Sequence, residues 1–205
     1  MKLFSFSRLG KASGQTIAVC DIGSGSVAVG IVTVNPVGKT SVLVSERRML
    51  APEERAKKQI VEQLKTLAQE TAAAVLDQHA KRGGASPSDV IAIVHAPWVR
   101  SETASGSQQF DKQMPVTEAM ISDAAKSAVR EETKLDTANI FERSVMRVAL
   151  NGYPTSQPEG KTSSRIDISV LQSDIKPEVL SAMKEALGSV FVGRTITFES
   201  AFFAF

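Results

Sequence analysis

The sequence predicts an α/β fold followed by a second set of α and β patterns, on three observations. Three β-prone runs, 16–20, 27–34 and 40–49, follow one another across short turn signals. A long amphipathic helix then leads into a continuous apolar run at 90–95. After Pro97 a polar stretch separates these elements from a second set of helix and strand patterns.

The chain has 205 residues, enough for one large domain or two small ones. Aromatic residues are 5% of it, so the core is built from Val, Ile, Leu, Ala and Met. A net charge of +2 gives no electrostatic reason to expect nucleic acid as a partner. The single cysteine, Cys20, cannot form an internal disulfide and reads as a small buried residue in a strand. His79 and His95 have no neighbouring His, Cys or paired acids that would make a metal site. No stretch approaches the roughly 18–20 apolar residues of a membrane span. Residues 1–14 are expected to be a flexible lead-in; their basic, slightly apolar start lacks a signal-peptide core.

Taking the elements in order, 16–20 is an apolar run that ends in Asp21-Ile22-Gly23-Ser24-Gly25-Ser26, and 27–34 is the strand that returns from it. Asn35-Pro36-Val37-Gly38-Lys39 signals a turn into 40–49, where Val42 and Val44 alternate with polar residues. The three runs read as an antiparallel meander. Pro52-Glu53-Glu54 opens a helix, because Pro suits its first turn and acids suit its positive end. Ile60, Leu64, Leu67, Thr71, Val75 and Leu76 form one stripe, and Lys81-Arg82-Gly83-Gly84 ends it. Residues 90–95 have the continuous apolar character of a strand buried on both faces.

Beyond Pro97, residues 101–109 are polar. Thr117 caps a helix reaching about Glu132, with Met120, Ile121, Ala124, Ala128 and Val129 on its apolar side. Residues 144–150 form a strand, 151–162 a Pro/Gly-rich loop, and 165–171 a strand with Ile166, Ile168 and Val170 on one face. A helix with Val179, Leu180, Met183 and Leu187 runs from about 176 to Gly188, and 190–192 and 195–198 are short strands. The apolar run 199–205, without a polar closure, is expected to be the start of an element cut short.

Residues 21–26 carry the most chemistry. Gly23 and Gly25 permit positive φ and let a ligand approach the backbone. Successive N–H groups of Gly23, Ser24, Gly25 and Ser26 can then cradle phosphate oxygens, with a serine hydroxyl added, and Asp21 can hold Mg²⁺ through water. Taken alone, the same residues make a plain Gly/Ser hairpin. The segment is neither a Walker-type loop nor a dinucleotide fingerprint. Elsewhere, the paired acids Glu53-Glu54 and Glu131-Glu132 splay on their helices and make no catalytic dyad. Arg47-Arg48 and Lys57-Lys58 read as solvent-facing, His95 as a structural residue at a strand end, and Trp98 as packing at a domain boundary.

The run IAVCDIGSGSVAVGIVTV, the third strand, the long helix and the strand DVIAIVHAPWVRS together resemble the opening subdomain of the actin-like ATPases, a ribonuclease H-like fold. Within that superfamily the pattern is most similar to the bacterial cell-division protein FtsA and its relative PilM, a type IV pilus assembly protein. PVTEAMISDAAKSAV, ERSVMRVALNGYPTSQPEGKTSSRIDISVLQSD and TITFESAFFAF resemble the small inserted domain and the return from it. The resemblance implies an actin-like subdomain at 15–99, an inserted FtsA-type domain at 100–198 and a truncated return at 199–205.

The resemblance also implies Asp21 as the acid on the Mg²⁺ side and Gly23, Ser24, Gly25 and Ser26 as phosphate contacts for ATP, with no catalytic residue in this chain and at most weak ATPase activity in a full-length protein; with half of the cleft absent, the chain by itself is expected to bind ATP weakly or not at all and not to hydrolyse it. The implied role is a cytoplasmic scaffold at the inner face of the membrane. It would self-associate into filaments and bind the tubulin-like FtsZ or pilus proteins, with Asn151, Gly152, Tyr153 and Pro154 as a partner-binding loop. PilM-type sequences carry Lys where this chain has Ala28, which leans the resemblance toward FtsA and puts one phosphate-facing charge in doubt. The other reading is a sugar or acetate kinase of the same superfamily, which the inserted-domain pattern disfavours.

Overall fold

The computed structural model describes residues 15–34, 39–51, 59–129 and 133–202. The helix start at Pro52, the turn at 35–38, Lys57-Lys58, Glu131-Glu132, the lead-in 1–14 and residues 203–205 lie outside the described residues. The chain divides into two compact units, residues 100–174 in one and the described residues before and after them in the other.

The flanking segments build a five-stranded sheet. Its strands are β1 (Gln15–Ile22), β2 (Ser26–Val34), β3 (Thr40–Met49), β4 (Asp89–Val94) and β9 (Thr195–Ser200), in the order β3-β2-β1-β4-β9. The expected meander is present: β1 with β2 and β2 with β3 are antiparallel, while β4 is parallel to both β1 and β9. Helix α1 (Ile60–Lys81) buries Leu64, Ala68, Thr71, Ala72 and Val75, so the three- and four-residue spacing of the stripe faces the core. It packs on β2 and β3 and against α3 (Pro177–Val190). Gly83, at φ 77°, ends α1 in a conformation that side chains resist. Cys20 is fully buried, and burial pushes its thiol up to about 12, the inert state expected of it.

In the other unit the strands are β5 (Val99–Pro115), β6 (Ile140–Leu150), β7 (Tyr153–Pro154) and β8 (Thr162–Ile175), ordered β5-β8-β6-β7. Helix α2 (Glu118–Ala128) starts on Thr117, whose hydroxyl accepts the Met120 N–H as expected of a cap. Ile121, Ala124, Ala125 and Ala128 of the helix share a core with Val148, Ile166, Ile168 and Val170 of the sheet.

Three expectations are corrected, and one segment left without an element is placed. The inserted unit ends at Asp174 rather than 198, because β9 pairs with β4 from Asp89↔Thr195 to Val94↔Ser200 and α3 packs on α1. Residues 101–109, read from the sequence only as polar, lie in β5, an edge strand whose half-buried row (Glu102, Ala104, Gly106, Gln108, Phe110) is too mixed to stand out as apolar. Helix α3 continues through Gly188 to Val190, so 190–192 is the end of a helix, not a strand. The loop expected at 151–162 begins as a hairpin: Asn151 (φ 50°) and Gly152 (φ 86°) form the two-residue turn between β6 and β7.

Candidate functional site

The parallel strands β1 and β4 end side by side, with Ile22 opposite Val94. The chain leaves β1 in a tight turn closed by Gly23 N–H donating to Ser26 O at 2.9 Å. It leaves β4 through His95, whose N–H donates to Ile22 O at 3.0 Å. Trp98, buried, donates its indole N–H to Gly23 O at 2.8 Å and so ties the second exit to the first. The carboxyl ends of parallel strands are where open α/β sheets hold their ligands.

Ser24 is exposed at the tip of the turn, whereas Gly25 is buried and Leu50 N–H donates to Gly25 O at 2.9 Å. Gly23 is not among the residues at positive φ. Its lack of a side chain serves proximity instead, since a Cβ there would lie 3.1 Å from Ser26 Oγ. The expected cradle is therefore narrower than Gly23 to Ser26, because the Gly23 N–H is spent inside the turn.

Around the turn the structure gathers two side chains, Arg47 and His95, that the sequence does not link to Asp21 and Ser26. Arg47 donates from Nη2 to Asp21 Oδ2 at 2.7 Å and from Nη1 to Ser26 Oγ at 3.2 Å. Asp21 Oδ1 is shielded from solvent and lies 2.5 Å from His95 Nε2. The pair is not aligned as a straight hydrogen bond. His95, expected to be structural, and Arg47, expected to face solvent, both contact Asp21. The cluster thus holds a carboxylate, a guanidinium, an imidazole and a hydroxyl at the mouth of the turn. The chemistry open to such a set is anion binding, through N–H groups of the guanidinium and the exposed tip of the turn.

Asp21 does not fit the divalent ion that the resemblance implies. Magnesium held through water needs a carboxylate oxygen facing its hydration shell. Oδ1 is closed to solvent and Oδ2 is held by Arg47.

The expected partner loop is remote from this cluster in sequence and belongs to the other unit. Asn151 Oδ1 accepts from Ser163 Oγ, Ser164 N–H and Arg165 N–H, so it knits its own turn together. Tyr153 is 79% exposed, and Pro154 lines a shallow recess of ≈ 420 Å³ with Val145, Met146 and Thr155. Among the described residues no helix is long and apolar enough to cross a membrane.

No family model matches the chain, and no curated protein matches it. Among solved structures, it is similar to the PilM-PilN type IV pilus biogenesis complex, with a TM-score of 0.53 and 16% identity over 92% of this chain and 48% of that one. This chain therefore spans about half the length of that relative. A Bacteroides thetaiotaomicron protein of actin-like ATPase fold and unknown function aligns over 96% of this chain and 55% of its own, at 12% identity and a TM-score of 0.39. An Aquifex aeolicus PPX-GPPA enzyme aligns over 40% of this chain and 26% of its own, at 20% identity and a TM-score of 0.28. Only the first is close enough in shape to carry an argument. At its identity it shows the fold, and with the strand order β3-β2-β1-β4-β9 it bears out the expected actin-like, ribonuclease H-like class.

Proposed function

We propose that this chain forms one wall of a nucleotide-phosphate site in a PilM-like, actin-fold scaffold protein. The observation that carries the reading is the β1–β2 turn. It sits at the carboxyl ends of two parallel strands, Trp98 fixes it from below, and the Arg47 guanidinium and Ser26 hydroxyl stand beside it. The phosphate chain of ATP is the ligand, met by the turn tip at Ser24, by Ser26 and by Arg47. The chain's residues bind and orient; no reaction step is assigned to them. The PilM–PilN likeness supports a second role, docking of a pilus-platform protein, with Tyr153 and Pro154 as the exposed contact.

The cell-division role of FtsA, with FtsZ as partner and filaments as product, was implied by the inserted-domain pattern and preferred over the PilM role because Ala28 stands where PilM-type proteins have Lys. That preference weakens because Arg47 faces Ala28 across the ladder and supplies a cation at the same row. Titration of the ¹⁵N-labelled chain with ATP tests the reading. The amides of Ser24, Gly25 and Ser26 should shift while those of 151–154 stay still. Shifts confined to 151–154, or none at millimolar ATP, would contradict it.

A further inference from the structure

Asp21, Ala28 and Arg47 form one row across the sheet: Asp21 pairs with Ala28 on β2, and Ala28 pairs with Arg47 on β3. Directly opposed residues project to the same face. Ala28 offers only a methyl group, so the Arg47 side chain passes over it to reach Asp21 and Ser26. Two of the guanidinium's five N–H groups are used in those bonds, and the side chain is 56% exposed, which leaves donors facing solvent. Asp21 in turn is closed on Oδ1 and engaged on Oδ2. A divalent ion at this carboxylate would have to displace Arg47 or stand beside its positive charge.

We propose that Arg47 takes the place of a divalent cation at this site: its guanidinium, anchored on Asp21, is the positive charge that meets the phosphate oxygens, and phosphate binding at the turn needs no metal. The inference rests on the phosphate-turn reading above and names the cation within it. Asp21 is a positioning residue in this account, holding the fork of Arg47 toward Ser26 rather than coordinating an ion. A planar fork gives two parallel N–H···O bonds to a phosphate, which a hydrated ion cannot do.

The test compares ATP titrations of the ¹⁵N-labelled chain in EDTA and in excess Mg²⁺, for wild type, Arg47→Ala and Arg47→Lys. Mn²⁺ alone is then added, and its paramagnetic broadening reports any metal near Asp21. The expected result is the same midpoint with and without Mg²⁺ in wild type. In EDTA the midpoint should rise at least tenfold in Arg47→Ala and less in Arg47→Lys, and Mn²⁺ should broaden residues 21–26 only in Arg47→Ala. Wild-type shifts that require Mg²⁺, or Mn²⁺ broadening of 21–26 in wild type, would overturn the inference and leave the phosphate-turn reading standing. An Arg47→Ala midpoint equal to wild type would do the same. No shift at 24–26 in wild type under either condition would sink both. Arg47 is largely exposed, and the dispersion of each variant's spectrum shows that it is folded.

Discussion

Arg47 lies directly across the β2–β3 ladder from Ala28, and its guanidinium reaches over that methyl group to Asp21 Oδ2 at 2.7 Å. The smallness of Ala28 is what lets the ion pair form. Ala28→Leu should therefore break the Arg47–Asp21 contact and weaken ATP binding nearly as much as Arg47→Ala. Because opposed Cβ atoms lie only about 5 Å apart, a cation can also be moved along the row. The double variant Ala28→Lys with Arg47→Ala should recover most of the affinity lost in Arg47→Ala. Affinities by calorimetry check both, and a double variant as weak as Arg47→Ala would count against the row.

Trp98 anchors the turn through its bond to Gly23 O. Trp98→Phe keeps most of the ring and removes the donor, leaving a carbonyl unpaired. The expected loss is about 1 kcal/mol, or roughly 2–4 °C in melting temperature for a chain of this size. Circular dichroism melts of the two proteins measure it.

Asn151 and Gly152 make the β6–β7 turn possible, both at positive φ. A Cβ at Gly152 meets nothing within 4 Å, so Gly152→Ala costs backbone strain alone, about 1–2 kcal/mol. Asn151→Ala loses the acceptor for Ser163, Ser164 and Arg165 and should cost about 1–3 kcal/mol. Asn151→Gly should fall between wild type and Asn151→Ala, because it restores the φ preference but not the bonds. Urea unfolding of the three variants gives the order.

Asp174 is a nearly buried carboxylate. Burial pushes its pKa up, but bonds from the Arg100 guanidinium and from the Asp136 N–H at 2.7 Å more than reverse this, and it sits below the usual carboxylate range. A folded value below the unfolded one stabilises the fold above the unfolded pKa of about 3.9. That contribution is lost as pH falls through the folded value. Wild type should lose urea midpoint on acidification from pH 5 downward. Asp174→Asn should start lower at neutral pH and fall less over the same range, and parallel curves for the two proteins would contradict the assignment.

The strands and helices with strong apolar patterning were legible in the sequence: the meander, the stripe of α1, the core face of α2 and the alternation of Ile166, Ile168 and Val170. Strand β5 was not, because its half-buried face mixes Glu102, Ala104, Gly106, Gln108 and Phe110 and so shows little apolar contrast with the exposed face of Thr103, Ser105, Ser107 and Gln109. The Asn-Gly dipeptide at 151–152 was a readable hairpin signal that the surrounding Pro and Gly obscured.

Asp21 and the turn at 23–26 were legible, but their partners were not. Pairing of Arg47 with Asp21 depends on the register of β3, and that register shifts between Ile31 and Val32. Counted straight from Val32↔Val42, Glu46 would stand opposite Ala28; Leu43 bulges and brings Arg47 there instead. A one-residue irregularity thus sets the sign of the charge beside the turn, and no local pattern announces it. His95 meets Asp21 only through the parallel pairing of β1 with β4, a long-range contact with no signature in the residues near it.

The central claim, that the β1–β2 turn and Arg47 receive phosphate, is tested most directly by a crystal structure of the chain grown with a non-hydrolysable ATP analogue in EDTA. The account predicts a phosphate group within hydrogen-bonding distance of the Ser24–Ser26 segment and of an Arg47 nitrogen, with Asp21 still paired to Arg47. Phosphate density away from the turn, or a metal ion bound to Asp21 with Arg47 turned aside when Mg²⁺ is added, would contradict it.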